Sequence, residues 1–202
     1  MIPSKFGAKA LGHWGTEALR NGKTSLVFVG VFFLMGTGWC EERCFKYTGE
    51  GEDSMAWITT DWIKVEGGKE YDLAAKIKHA DFAMRKGFFV VDGWCYRGKE
   101  VIKGGFGEKK IVSGRGTRGW HIMRTKVLIP AEADQLKIAL QASGMGRVWA
   151  RDIYFARTDS GDNLIANADF EDFDGQAQKP RGWLLGVYKG PPIAPSRIEW
   201  ND

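Results

Sequence analysis

Histidine and cysteine are scarce, with 3 of each among 202 residues. His13, His79 and His121 stand in unrelated contexts, so the sequence signals neither a histidine-rich metal centre nor a histidine-based general base. An odd cysteine count allows at most one internal disulfide. Cys40 and Cys44 are separated by Glu41-Glu42-Arg43 and Cys95 is remote. A Cys-x3-Cys pair with no neighbouring histidine is a poor zinc signature. A Cys40–Cys44 bridge in a secreted chain and buried free thiols are the two readings left open. No apolar stretch approaches the roughly 20 residues that a membrane-spanning helix needs. The run 26–35, with Arg20 and Lys23 before it and Cys40 after it, imitates a leader peptide. Its basic flank lies well inside the chain and Trp39 is a poor residue beside a cleavage site, so a strand buried on both faces explains the run better.

Charge of one sign is not in excess either. The 29 basic and 25 acidic residues leave +4, scattered along the chain and only slightly denser in bases between Lys103 and Arg124. That is too dilute for a nucleic-acid footprint, and no nucleic-acid or membrane partner is expected. Gly-x-Ser-x-Gly, His-Glu-x-x-His and phosphate-cradling loops are all missing. Asp53, Asp61, Asp92 and Glu108 are carboxylates of the kind a glycosidase uses, but nothing in the spacing selects one pair.

What the chain does have is 27 Gly, 12 Phe, 9 Trp and 5 Tyr. Glycine at that level punctuates short strands, and aromatics favour pleated, half-buried surfaces. The segments bear this out. Residues 54–65 read as a strand ended by the turn Glu66-Gly67-Gly68-Lys69. The alternation in 71–78 places Tyr71, Leu73, Ala75 and Ile77 on one core face. In 87–96, Phe89, Val91 and Cys95 share one face, with Phe88, Val90, Asp92 and Trp94 on the other. Tyr96-Arg97-Gly98-Lys99 reads as a hairpin turn, and 104–119 as a long exposed basic loop. Strands at 121–129, 135–142 and 148–157 follow, and 8–20 has room for a short helix. Many strands with turns every eight to twelve residues predict an all-β, two-sheet antiparallel sandwich.

Taken in order, these segments resemble the jelly-roll carbohydrate-binding modules of families four, nine, sixteen and twenty-two. The resemblance rests on Gly68-Lys69-Glu70-Tyr71, Cys95-Tyr96-Arg97-Gly98-Lys99, Thr117-Arg118-Gly119-Trp120, Val127-Leu128-Ile129-Pro130, Leu136-Lys137-Ile138-Ala139-Leu140 and Arg151-Asp152-Ile153-Tyr154-Phe155. Near the C-terminus, Asn163-Leu164-Ile165-Ala166-Asn167-Ala168-Asp169-Phe170-Glu171 and Pro180-Arg181-Gly182-Trp183 are similar to the segment that opens such modules, with Ala168 where glycine is usual. Gly22-Lys23-Thr24-Ser25-Leu26 resembles what should follow that opening. Residues 1–202 are therefore expected to form one module, with 163–202 supplying a displaced first strand in cis or as a strand-swapped homodimer. The competing reading makes 163–202 the start of a tandem copy.

The resemblance implies a non-catalytic partner of a polysaccharide or oligosaccharide, an accessory module of a glycoside hydrolase, located outside the cell or on its surface. It also implies a structural calcium held by Glu171, Asp152 and a backbone oxygen near Lys23. Pyranose rings stack their apolar C–H faces on indoles while polar side chains bond the hydroxyls. On that chemistry the candidate sugar contacts are Trp94 with Asp92, then Trp57, Trp39 and Gln141, whereas Trp120, Trp149 and Trp183 match positions that look structural in the family. A structural or adhesive sandwich without a sugar ligand, and a jelly-roll lyase or glycosidase, are the rival functions.

Overall fold

A computed structural model describes residues 43–102, 105–113, 116–186 and 196–200, with the backbone alone at 83–87 and 196. The expected strand at 26–35, the helix at 8–20, Lys23, Trp39 and Cys40 lie outside these residues. Twelve strands are described: β1 Phe45–Gly49, β2 Met55–Thr60, β3 Ile63–Lys64, β4 Glu70–Arg97, β5 Glu100–Val101, β6 Ile111–Ser113, β7 Gly116–Leu128, β8 Gln135–Arg157, β9 Phe173–Asp174, β10 Lys179–Pro180, β11 Trp183–Leu185 and β12 Ser196–Glu199. All pairings are antiparallel. Among the described residues, no helix is long and apolar enough to cross a membrane.

Two strands organise the sandwich. β4 and β8 run side by side for their full lengths and bend together in the middle. The bend is local chemistry: Gly144 and Gly146 take φ of 99° and 110°, and Asp81 opposite takes φ of 51°. These are left-handed values, at which a side chain on either glycine would be strained. A Cβ on Gly146 would also overlap the Asp81 carbonyl. The pairing register breaks between Ala80 and Phe88 at the same level. Layer A, on one side of the bend, contains β7, residues 70–80 of β4, residues 147–157 of β8, β1 and β12. Layer B, on the other, contains β5 and β6, residues 88–97 of β4, residues 135–143 of β8, β2 with β3, and β11. The expected separate strands at 71–78 and 87–96, and at 135–142 and 148–157, are thus halves of single strands: the glycines bend the chain, and pairing resumes beyond the break in register.

One core lies between the layers. Tyr71, Leu73, Ala75 and Ile77 are buried as the alternation predicts, as are Phe89, Val91 and Cys95. Phe45 of layer A meets Phe89 of layer B, with ring centroids 6.3 Å apart. The expected exposed loop at 104–119 is only partly exposed, because it contains β6 and buries Phe106 and Ile111. In β8 the alternation inverts at Asp152: Val148 and Ala150 point inward, then Ile153 and Phe155 do. Asp152 has φ of 50°, and the register with β4 shifts opposite it between Ala74 and Lys76, which is a β-bulge.

The C-terminal segment packs on both layers. β11 pairs with β2, and β12 pairs with β1. Asn163 Oδ1 accepts from the amides of Phe155 and Ile165, and its Nδ2 donates to the Ile153 carbonyl. Asn167, at φ of 53°, donates from Nδ2 to the carbonyls of Asp172 and Arg181. Ile165, Phe170 and Trp183 enter the core, the last two with ring centroids 4.9 Å apart. The asparagines of the motif are latches, and its apolar members are core. Ala168 has no positive φ, so nothing in the backbone demands glycine there.

Candidate functional site

The outer face of layer B follows from strand parity. In β4, β8 and β2 the residues opposite the core set are Val90, Asp92, Trp94 and Tyr96; Gln135, Lys137, Ala139 and Gln141; and Trp57 and Thr59. Register then makes neighbours of residues far apart in sequence. Gln141 lies directly opposite Val90 on one side and Trp57 on the other. Trp94 lies opposite Lys137. Directly opposed residues have Cβ atoms about 5 Å apart, so Val90, Gln141 and Trp57 form one continuous row. Trp57 and Trp94 are separated along β8 by the four residue steps from Lys137 to Gln141, their partners, about 13 Å at strand spacing. That length suits a short run of sugar units.

Trp57 is half-buried. Its indole rests over Gly186, whose amide donates to the Trp57 carbonyl at 2.9 Å. A Cβ at Gly186 would fall inside the indole's van der Waals contact. Gln141 presents both an acceptor and two donors, the inventory needed for a vicinal pair of hydroxyls. The carboxylate of Asp92 is turned to its own loop: Oδ1 accepts from the amides of Gly93, at 2.8 Å, and Phe106, at 3.2 Å. Its first duty is therefore to anchor the 105–107 turn over β4.

One exposed aromatic escaped the sequence reading. Trp62, 49% exposed in the short connection between β2 and β3, has its ring 4.4 Å from the Lys137 ammonium and edge-on to Tyr96 at 4.7 Å. Trp62, Lys137 and Trp94 extend the aromatic surface at one end of the face. Trp62 sits between strands, where no period marks it, and only its large apolar side chain in a polar turn was a signal.

The expected calcium ligands come together only in part. Asp152 and Glu171 line one small cavity of about 240 Å³ with Asp169, Arg43 and Arg151. Glu171 Oε1 accepts from the Arg43 amide at 3.1 Å, and Asp152 Oδ2 is 3.5 Å from Arg151 Nε and 3.9 Å from Lys76 Nζ. Hard carboxylate oxygens are what calcium takes, but the Arg151 guanidinium and the Lys76 ammonium compete for those of Asp152. Among the described residues no three Asp, Glu, His or Cys side chains converge closely enough to hold a metal ion. Lys23 lies outside the described residues.

A larger groove of about 1100 Å³ opens beside this cavity, floored by Lys76, Arg124 and Tyr154 of layer A and walled by Asn167, Asp172 and Arg181. In the core, Cys44 and Cys95 are both buried. Burial first, then the nearby Asp92 and Glu132 carboxylates, push the Cys95 thiol up to about 11, which leaves it protonated and unreactive at neutral pH.

No family model and no curated protein matches the sequence. Solved structures do match its fold. A structure named PbXyn10C CBM APO, where CBM is a carbohydrate-binding module, aligns over 82% of this chain and 94% of its own, at TM-score 0.50 and 17% identity. One named CBM4 structure and function aligns over 56% of this chain and 71% of its own, at TM-score 0.42 and 12% identity. The CBM22-1 and GH10 modules of the Clostridium thermocellum xylanase 10B, complexed with xylohexaose, align over 62% of this chain and 27% of their own, at TM-score 0.35 and 16% identity. The first of these likenesses, at TM-score 0.50, shows the fold alone, a jelly-roll β-sandwich like that of the carbohydrate-binding module.

Proposed function

We propose that this jelly-roll chain is a non-catalytic module that binds a polysaccharide or oligosaccharide across the outer face of layer B, outside the cell or on its surface, as an accessory to a polysaccharide-degrading enzyme. The observation that carries the reading is the row Val90–Gln141–Trp57, with Trp94 farther along the same face. An apolar ring, an amide with donors and an acceptor, and a second ring one short oligosaccharide away form the pattern that neutral sugars require. Trp39 belongs to the proposal as a further aromatic whose position is not described.

Affinity electrophoresis against a panel of plant and algal polysaccharides tests this. Retardation by at least one glycan, weakened about tenfold or more in Trp57→Ala and less in Trp94→Ala, is the expected result. Binding to none of the panel would favour a structural sandwich, and release of sugar or unsaturated product would favour an enzyme.

Two structural proposals accompany it. Calcium would bind between Asp152 and Glu171, completed by a backbone oxygen near Lys23, and would stabilise the module without contacting the glycan. Residues 163–202 would supply the first strand of this same sandwich, a reading supported by Phe170 and Trp183 lying in its core.

A further inference from the structure

Two of the three histidines, unrelated in sequence, meet between β4 and β7 of layer A. The cause is a bulge. In this ladder Ile77 lies opposite His121, His79 opposite Arg118, and Phe82 opposite Gly116. From His121 to Arg118 β7 advances three residues, while from Ile77 to His79 β4 advances two, so β7 takes up one extra residue. His121 shares a face with the buried Ile77, and His79, two residues farther along β4, shares it too. Diagonal neighbours on one face of a sheet lie within reach of long and aromatic side chains. The two ring centroids are 5.7 Å apart, with the planes at 85°.

Both rings are held the same way. Nδ1 of His79 lies 3.0 Å from the Gly116 carbonyl oxygen, and Nδ1 of His121 lies 3.0 Å from that of Gly119. A carbonyl only accepts, so each Nδ1 carries the hydrogen and donates it, and in the neutral imidazole the lone pair is left on Nε2. Backbone carbonyls thus fix the tautomer and orientation of two neighbouring rings, which is how metal-ligating histidines are supported. A second observation is independent of this. His79 is 2% exposed, and its Nε2 is buried with no hydrogen-bond partner among the described residues. A lone pair buried without a donor is destabilising, and a cation that accepts it removes that cost. His121 is half-buried, so the pair opens to solvent on its side. Bonds of about 2.0–2.1 Å from one ion to two Nε2 atoms place the ring centroids roughly 4.5–6 Å apart over the usual ligand angles, and the observed separation lies in that range.

We infer that His79 and His121 form a binding site for a divalent transition ion of the zinc or copper class, with water in the remaining positions. Imidazole selects such ions over calcium and magnesium, which take oxygen ligands. The carboxylate of Asp81, two residues beyond His79, is bonded to Thr117 and Arg147. No third Asp, Glu, His or Cys joins the pair among the described residues, so the site is a two-histidine clamp rather than a closed structural centre. Its effect is to tie β4 to β7 where their register shifts on both sides of His79. The site stands apart from the outer face of layer B and does not depend on the glycan-binding reading.

The test titrates the full chain with zinc chloride by calorimetry, in excess calcium, beside His79→Gln, His121→Gln and His13→Gln. Thermal unfolding without metal confirms that each variant is folded. The expected result is a single-site isotherm, unchanged in His13→Gln and weakened about tenfold or more in each of the other two. Zinc should also raise the melting temperature of the unaltered chain, since an ion bound only by the native state stabilises it. Should His79→Gln fail to fold, electron paramagnetic resonance of the copper(II) form decides. Two nitrogen ligands in the unaltered chain, and one in His121→Gln, are expected. Zinc binding lost in His121→Gln but retained in His79→Gln would reduce the site to a lone surface histidine and overturn the inference. A single nitrogen ligand in the unaltered chain, or zinc binding weaker than about 1 mM, would overturn it too. Weakening in His13→Gln would move the site away from this pair, with the same consequence.

Discussion

The two outer faces of the sandwich are built from the same pair of strands, yet they offer opposite surfaces. Layer B, with residues 88–97 of β4 and 135–143 of β8 beside β2, displays Trp57, Gln141, Trp94 and the ammonium of Lys137. Layer A, with the other halves of those strands beside β1 and β7, sets Lys46, Lys76, Lys78, Arg147 and Arg151 around Trp120 and Trp149. What separates them is the bend at Gly144 and Gly146 and the bulge at Asp152, which together decide which parity faces outward. One strand pair can thus present two different outer surfaces, provided its backbone switches conformation between them.

The largest expected effect removes the comparison altogether. Trp183 is fully buried, packs on Phe170 and donates from Nε1 to the Asn167 carbonyl at 3.0 Å. Trp183→Ala should cost about 3–5 kcal/mol, and both layers should unfold together, since they share one core. Denaturant unfolding followed by far-UV circular dichroism measures it. Loss of one layer alone would mean that the layers are separately stable.

Alkaline titration probes the shared core from both sides. Tyr47 of layer A donates its hydroxyl to the Gly144 carbonyl at 2.7 Å, and burial raises it to about 12. Cys95 of layer B is raised to about 11. Each is an acid whose folded pKa lies above its unfolded value, so stability is full below about pH 9 and falls as the pH rises through 11 and 12. Each group should remove about 2–3 kcal/mol across its window. Cys95→Ser should abolish the lower part of the decline. A flat stability profile from pH 8 to 12 would contradict the burial of both groups.

Calcium sharpens the comparison at the edge of layer A. If Asp152 and Glu171 hold the ion, chelation should lower the melting temperature by several degrees, equivalent to about 1–3 kcal/mol. Glu171→Gln should remove that calcium response without changing binding at the layer B face. An unaltered melting temperature with and without calcium would leave the two carboxylates as partners of Arg43 and Arg151.

Much of the scaffold was legible in the sequence, because a half-buried strand writes its parity directly into the chain. Tyr71, Leu73, Ala75 and Ile77 needed only their spacing. Continuity was not legible: the strands read as ending at 142 and restarting at 148, since a positive-φ glycine bends a paired strand and ends an unpaired one with the same letter. The site was legible only as residue types. That Gln141 lies opposite Trp57 depends on cross-strand register, and register is set by bends and bulges distant from either residue. Asp92 had been expected to face ligand, but a glycine-rich loop close in sequence supplied the Phe106 amide that one of its oxygens bonds. The basic cluster was invisible for the same reason, as Lys46, Lys78, Trp120 and Arg147 come from four different strands.

The smallest effect is also the most selective. Gly186 does not take a positive φ, so alanine there brings no left-handed backbone strain, and the atoms nearest its methyl group all belong to the Trp57 indole. Gly186→Ala should therefore tilt that ring while leaving the Gly186 amide bonded to the Trp57 carbonyl. Stability should change by less than about 1 kcal/mol. Glycan binding should weaken about threefold to tenfold, because a stacked ring loses contact steeply with tilt, and zinc binding at His79 and His121 should not change. Calorimetry with the retained glycan and with zinc separates the outcomes. Equal weakening of both would mean that the substitution disturbs both layers, and no weakening of either would move the sugar contact from Trp57 toward Trp94 and Trp62.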